Sequence, residues 1–300
     1  MTKVSQTLER PSAAQRSRPN RRGEMIDIGR RSLRMVRAGP AEATPTVICE
    51  HGAFGCAADW AEVQHRLAAN GLKSLAYDRA GLGLSDPGPP PRHGAALADD
   101  LERLLERAGE PGPYILVGHS MGGLMVRIFA CRHPEKILGV VLVDAVTPDV
   151  WEMRHAPRVL GAYHAGMRML GLGARVGLMR PVAMVFGNLI GLTGEAAIEK
   201  RRIYGSPAHA RGAALEVGRW AEISALAGEK DFDPALPIAV VTAGHENLWP
   251  RLKALQVAPA LASRHGYVEH VARADHASLL GARFADPVVR GVEHVLKAIS

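Results

Sequence analysis

Short apolar runs alternate along this chain with stretches in which apolar residues recur every three or four positions. This alternation predicts strands and helices in turn. The strand-length runs are 46–50, 73–77, 114–117, 137–143, 238–243 and 267–272. Helical spacing fills 57–70, 95–108, 124–130, 249–258 and 284–299, with Leu97, Leu101, Leu104 and Leu105 on one face of the second. Near the start, 25–28 and 33–36 alternate in polarity around Gly29-Arg30-Arg31 and predict a hairpin. Strand–helix alternation predicts an α/β fold: a doubly wound, mostly parallel sheet with ligands at the carboxyl ends of its strands. The pattern breaks between Thr147 and Pro234, where Met- and Arg-rich helical segments predict an inserted helical cap over residues 147–234. The core is then 24–146 and 235–300, and a tail occupies 1–23.

Composition changes this picture at one end only. Of the formal charge of +7, residues 1–40 hold ten Lys and Arg against three Asp and Glu, and the other 260 residues carry 27 of each sign. The basic balance is therefore local, and a nucleic-acid-binding body is not expected. Residues 1–23 are polar and Arg-rich with too little apolar surface to offset their ordering entropy, so the expectation is a disordered basic tail without a secretory apolar run. The uncharged run 181–194 is too short to span a bilayer. Cys49, Cys56 and Cys131 form no C-x-x-C pair, which fits free thiols in a reducing, cytoplasmic setting. No His, Cys and Asp set has zinc spacing, and Gly81-Leu82-Gly83 lacks the Lys-Ser/Thr of a phosphate loop, so neither metal nor cofactor is expected.

The chemistry concentrates at Gly118-His119-Ser120-Met121-Gly122, a G-x-S-x-G between a strand run and a helical run. Reversing the backbone there forces Ser120 into a sparsely populated conformation and leaves its hydroxyl at the tip of the turn. The Met121 amide, opening the next helix, points to where an oxyanion would form. Asp78 and Asp86 flank a Gly-rich loop and read as turn chemistry. His265 and His270 lie in or beside a strand and read as structural or exposed.

Four marks in order carry a resemblance: His51-Gly52, then Asp78-Arg79-Ala80-Gly81-Leu82-Gly83-Leu84-Ser85, then Gly118-His119-Ser120-Met121-Gly122-Gly123, then Asp275-His276. Outside the middle insert, residues 24–300 resemble the α/β-hydrolase family of the serine ester-hydrolase type. That resemblance implies Ser120 as nucleophile, His276 as general base, and the Ala53 and Met121 amides as oxyanion donors, with Phe54 walling the acyl pocket. The acid is left open. Relatives often place it after the strand at 238–243, where Glu246 is available and Asn247 stands where an Asp is common. The other family placement is the end of the preceding strand, which is Asp144, the choice preferred here.

A serine at the elbow argues against haloalkane dehalogenase and epoxide hydrolase chemistry, which the family runs with Asp. The expected activity is cleavage of a small-molecule carboxylic ester with an apolar acyl part. A C–C bond hydrolase, lactonase, amidase or cofactor-free perhydrolase would keep the same scaffold, and a non-catalytic ligand binder is the competing class. In the insert, Met153, Met167, Met169, Met179 and Met184 suggest an adaptable apolar lining. Arg154, Arg158, Arg168, Arg175 and Arg180 read as a solvated face, with an acidic substrate group as the alternative.

Overall fold

The computed structural model describes residues 22–300 apart from 155, 176–178, 246 and 248. Its strands are β1 (Glu24–Asp27), β2 (Ser32–Ala38), β3 (Thr46–Glu50), β4 (Ser74–Tyr77), β5 (Tyr114–His119), β6 (Ile137–Val143), β7 (Ile238–Ala243) and β8 (Gly266–Val271). They form one sheet in the order β1-β2-β4-β3-β5-β6-β7-β8. The β1–β2 hairpin and the β2–β4 pair are antiparallel, and every pair from β4 to β8 is parallel. The chain leaves β3 to one side for β4 and returns to its other side for β5. The carboxyl ends of β3 and β5 therefore flank the switch point where such sheets open a crevice.

The helices are α1 (Ala61–Ala69), α2 (Gly94–Arg107), α3 (Gly122–Arg132), α4 (Ala156–Arg175), α5 (Met179–Phe186), α6 (Gly194–Tyr204), α7 (Pro207–Val217), α8 (Trp220–Ala227), α9 (Pro250–Ala262) and α10 (Asp286–Ile299). Alternation of side chains along each strand divides the core in two. Ile48, Leu116, Leu142 and Val240 face Leu97, Leu101, Leu104 and Leu105 of α2 and the apolar residues of α3. Val47, Ile115, Val117, Val141 and Val241 face α1 and the Val288, Val289, Val292 and Val295 stripe of α10. Leu104 is fully buried, so Leu104→Ala should cost about 2–5 kcal/mol, read as a lower urea midpoint at unchanged slope.

Most boundaries shift by one to four residues from the sequence expectation, the helix expected over 249–258 running on to Ala262, and two of the shifts bear on the site. The helix expected over 57–70 begins as a 3-10 turn, Ala57–Trp60. The Ala57 amide donates to Asp78 Oδ1 (2.7 Å) and the Cys56 amide to Asp59 Oδ2 (3.1 Å), which tightens this start onto the loop after β4. The strand expected over 114–117 runs on to His119, because Gly118 and His119 keep pairing with Leu142 and Val143 of β6.

Between β6 and β7 lie a 3-10 turn (Pro148–Glu152) and helices α4 to α8, with no strand among the described residues. The insert is held to the rest of the chain by charge pairs: Lys200 with Asp59 (2.6 Å) and Glu216 with Arg79 (2.8 Å), both buried, and Glu199 with Arg34 (2.7 Å), partly buried on the Glu199 side. Its methionines do not all turn inward. Met167 is buried, whereas Met169 and Met184 are about 70% exposed (72% and 69%). Arg154, Arg158, Arg168 and Arg175 are exposed, as a solvated face requires. Most of the basic tail, residues 1–21, lies outside the described residues. The carbonyl of Arg22 accepts from Arg34 Nε (2.8 Å) and Nη2 (2.6 Å). Among the described residues no helix is long and apolar enough to cross a membrane.

Candidate active site

Ser120 sits just past β5 with φ of +55°, the left-handed region that non-glycine residues rarely enter, and is 8% exposed. Its amide donates to Val143 O (3.1 Å), and its carbonyl accepts from Gly123 and Val146 (3.0 Å each). The turn is thus stitched to the end of β6 rather than left to its own strain. A Cβ on Gly122 would lie 2.4 Å from Glu50 O, so only glycine lets α3 start this close to β3. Met121 is fully buried at the N-cap of α3, where helix amides lack intrahelical acceptors.

The loop after β3 passes against the same turn. A Cβ on Gly52 would come within 2.9 Å of Ser120 Cβ, which puts the backbone leading to Ala53 at the serine. Phe54 follows with φ of +56°, and its buried ring packs on Tyr204 (4.4 Å) and His209 (4.6 Å) from the insert. His51 Nδ1 donates to Gly52 O (2.8 Å), and its Nε2 accepts from the Arg79 amide (3.4 Å). Burial, then the neighbouring Arg79 charge, pushes the His51 pKa far down and keeps the ring neutral. Asp78 serves the turn, as expected, whereas the Asp86 carboxylate reaches across to the start of β2. Asp78 Oδ2 accepts from the Leu84 amide (2.8 Å), and Asp86 Oδ2 from Ser32 (2.8 Å).

Asp144 and His276, 132 positions apart, come together. His276 Nδ1 donates to Asp144 Oδ2 at 2.6 Å. Asp144 has φ of +40° just past β6, and its amide donates to Val241 O (2.7 Å). Its Oδ1 accepts from the Ala243 amide (3.2 Å) and Gln256 Nε2 (3.0 Å), with Lys253 Nζ at 3.5 Å. Burial alone would raise this carboxyl. The His276 hydrogen bond and charge, then Lys253 and the Ala243 amide, outweigh it and hold the pKa at about 2. Glu246, the other candidate acid, lies outside the described residues. His276 is half exposed, and Asp275 Oδ1 accepts from the Ala277 (3.1 Å) and Ser278 (2.9 Å) amides to shape its loop. His119, the neighbour of Ser120, donates from Nε2 to the His276 carbonyl (2.9 Å), with the two rings 4.6 Å apart. Burial, then the nearby His276, lowers His119 to about 3, so it remains a neutral donor. Of the other histidines weighed from sequence, His270 contacts Thr242 Oγ1 (2.6 Å) and His265 is exposed.

A sequence model of the alpha/beta hydrolase fold matches residues 45–168, the stretch carrying the His51-Gly52 loop, Ser120 and Asp144. Together with this strand order, that match decides the architecture. The chain has the α/β-hydrolase fold. An AB hydrolase superfamily protein of Gibberella zeae is 37% identical over 114 residues, 36% of this chain and 35% of that protein. Across eight curated relatives the chain covers between 13% and 41% of their lengths. Among solved α/β-hydrolase structures, a carboxylesterase of Nitrososphaera gargenis superposes with a TM-score of 0.65 at 16% identity, covering 89% of this chain and 96% of that one. An epoxide hydrolase mutant of Vigna radiata gives 0.67 at 13%, covering 91% and 98%. At such identities the likeness is one of fold.

Sequence reasoning missed the groups behind these residues. Lys253 and Gln256 lie one turn apart on α9, and both reach Asp144; two polar residues on the inward face of a helix were the available signal. Arg79, which stands in the Asp78–Ser85 mark of the resemblance but carried no role there, is 2% exposed and paired with Glu50 and Glu216. Nothing in the local sequence announces those partners.

Proposed function

We propose that this α/β-hydrolase is a serine hydrolase that cleaves carboxylic esters through an acyl-enzyme. The observation that carries the reading is the 2.6 Å contact of His276 Nδ1 with Asp144, in a loop tied through His119 to the residue beside Ser120. With Nδ1 so engaged, Nε2 is the nitrogen left to act as base. Ser120 Oγ attacks the acyl carbon and passes its proton to His276 Nε2. Asp144, ionised at any pH well above about 2, stabilises the imidazolium. The Ala53 and Met121 amides receive the oxyanion. The alcohol leaves with the proton from His276, and water repeats the sequence on the acyl-enzyme. Residues 147–234 act as the cap, supported by the packing of Tyr204 and His209 on Phe54, which makes part of the acyl wall from cap side chains. Serine at the elbow favours an acyl-enzyme over the alkyl-enzyme route that epoxide hydrolases take through Asp.

The test pairs a fluorophosphonate probe with a series of p-nitrophenyl esters of increasing acyl length. We expect a covalent adduct on Ser120 and ester turnover with a preferred length. A folded protein that neither labels nor turns over any ester would instead be a ligand binder.

A further inference from the structure

We propose that Arg79 is a positioning residue that aims the Ala53 amide, and that Glu216 of the helical insert holds Arg79 in place to do so. The inference rests on the reading of Ala53 as an oxyanion donor. Arg79 stands just past β4 and closes its fork on two successive carbonyls of the loop after β3: Nη1 donates to His51 O (2.6 Å) and Nη2 to Gly52 O (3.1 Å). The Gly52–Ala53 peptide is not among the cis bonds of the chain. In a planar trans peptide the N–H points opposite to the C=O. Whatever fixes the direction of Gly52 O therefore fixes the direction of the Ala53 N–H. Two further donors converge on the same oxygen, His51 Nδ1 (2.8 Å) and the Gly55 amide (3.2 Å). The backbone so held is the one that touches Ser120 at Gly52.

The guanidinium is itself aimed from both sides. Glu50 at the end of β3 accepts from Nη1. Glu216 on α7 takes Nε (3.0 Å) and Nη2 (2.8 Å) in a two-pronged contact. All three side chains are within 2% of full burial. Such a planar fork matches a carboxylate in one orientation only, which lysine cannot reproduce. The carboxylate opposite the loop belongs to the insert, so docking of α7 and aiming of the amide are one event.

The experiment uses the full-length enzyme with Arg79→Lys, Glu216→Gln and, as control, Glu199→Gln, which weakens a different link of the insert, to Arg34. For each, kcat and KM on a p-nitrophenyl ester, inhibition by a trifluoromethyl ketone and melting temperature are measured. Removing an oxyanion donor outright costs about 10²–10³ in kcat, so misaiming one should cost about 10–100-fold. Arg79→Lys and Glu216→Gln should lose that factor in kcat with KM nearly unchanged, and should weaken the ketone, whose adduct carries the oxyanion, by the same factor. Glu199→Gln should lower the melting temperature while leaving kcat and ketone affinity close to wild type. If Arg79→Lys does not fold, Glu216→Gln, isosteric and still able to hydrogen-bond, carries the test. Unchanged kcat and ketone affinity in Glu216→Gln, or equal losses in Glu199→Gln, would overturn the inference. Failure of the wild type to label with fluorophosphonate would remove the serine-hydrolase reading itself, a distinct result.

Discussion

Ser120→Ala should lower turnover of an activated ester by on the order of 10⁶-fold, the scale on which a nucleophile and its base fail as a unit. The fold should stand, because alanine keeps the Cβ and the backbone bonds to Val143, Gly123 and Val146 that hold the turn. Substrate affinity should change little, since the hydroxyl matters in the transition state rather than in the ground state. The measurements are kcat on a p-nitrophenyl ester, fluorophosphonate labelling, and circular dichroism of the variant. His276→Ala should do comparable damage, and the double variant should be scarcely worse than either single one. A Ser120→Ala enzyme keeping a tenth of its activity would rule the serine out as nucleophile, and additive losses would mean that the two residues act independently.

Asp144→Asn should cost on the order of 10⁴-fold in kcat, because a neutral amide permits the wrong imidazole tautomer and cannot balance imidazolium. Glu246→Gln should cost only a few-fold. The Asp144 carboxyl also has a signature in stability. Its pKa of about 2 lies below the ordinary value of 3.8, so ionisation favours the folded state. That contribution is fully present above the ordinary value and is lost as pH falls through about 2. The stability gap between wild type and Asp144→Asn should therefore narrow as pH falls from about 4 toward 2, by urea titration at each pH. Near-normal turnover in Asp144→Asn with collapse in Glu246→Gln would reassign the acid, and moderate loss in both would mean that the carboxylates share the role.

How far the site could be read in advance follows from how local its determinants are. The Ser120 turn is written in five consecutive residues: Gly118 has to clear the Gly122 carbonyl four positions on, and Gly122, although what it has to clear is Glu50 O of distant β3, stands in the same motif. The strands were legible locally as well, the central ones as short, mostly apolar runs and β1 and β2 by their alternation of polarity. The pairing of Asp144 with His276 was not, and two carboxylates competed on sequence grounds. What brings Asp144 to His276 is the adjacency of β6, β7 and β8 in the sheet, a fact of topology that no spacing encodes. Arg79 was harder still. Periodicity reports where apolar residues face, and it has no means of showing a buried charge whose partner lies 137 residues further on. The outward-facing Met169 and Met184 mark the opposite error, since an apolar residue on a helix does not by itself reveal which side the helix presents.

The charge pairs across the insert boundary limit how this protein can diversify. In each pair one member lies before β6 ends and the other after it: Arg34 with Glu199, Asp59 with Lys200, and Arg79 with Glu216. Breaking a buried pair by removing one partner costs about 3–5 kcal/mol, a large share of the roughly 5–15 kcal/mol that a whole domain has to spare. A foreign insert grafted between β6 and β7 would bring its own surface but not these three counter-charges, and the graft would start below the threshold for folding. Exchange of the whole insert therefore requires that the charges at positions 199, 200 and 216 travel with it.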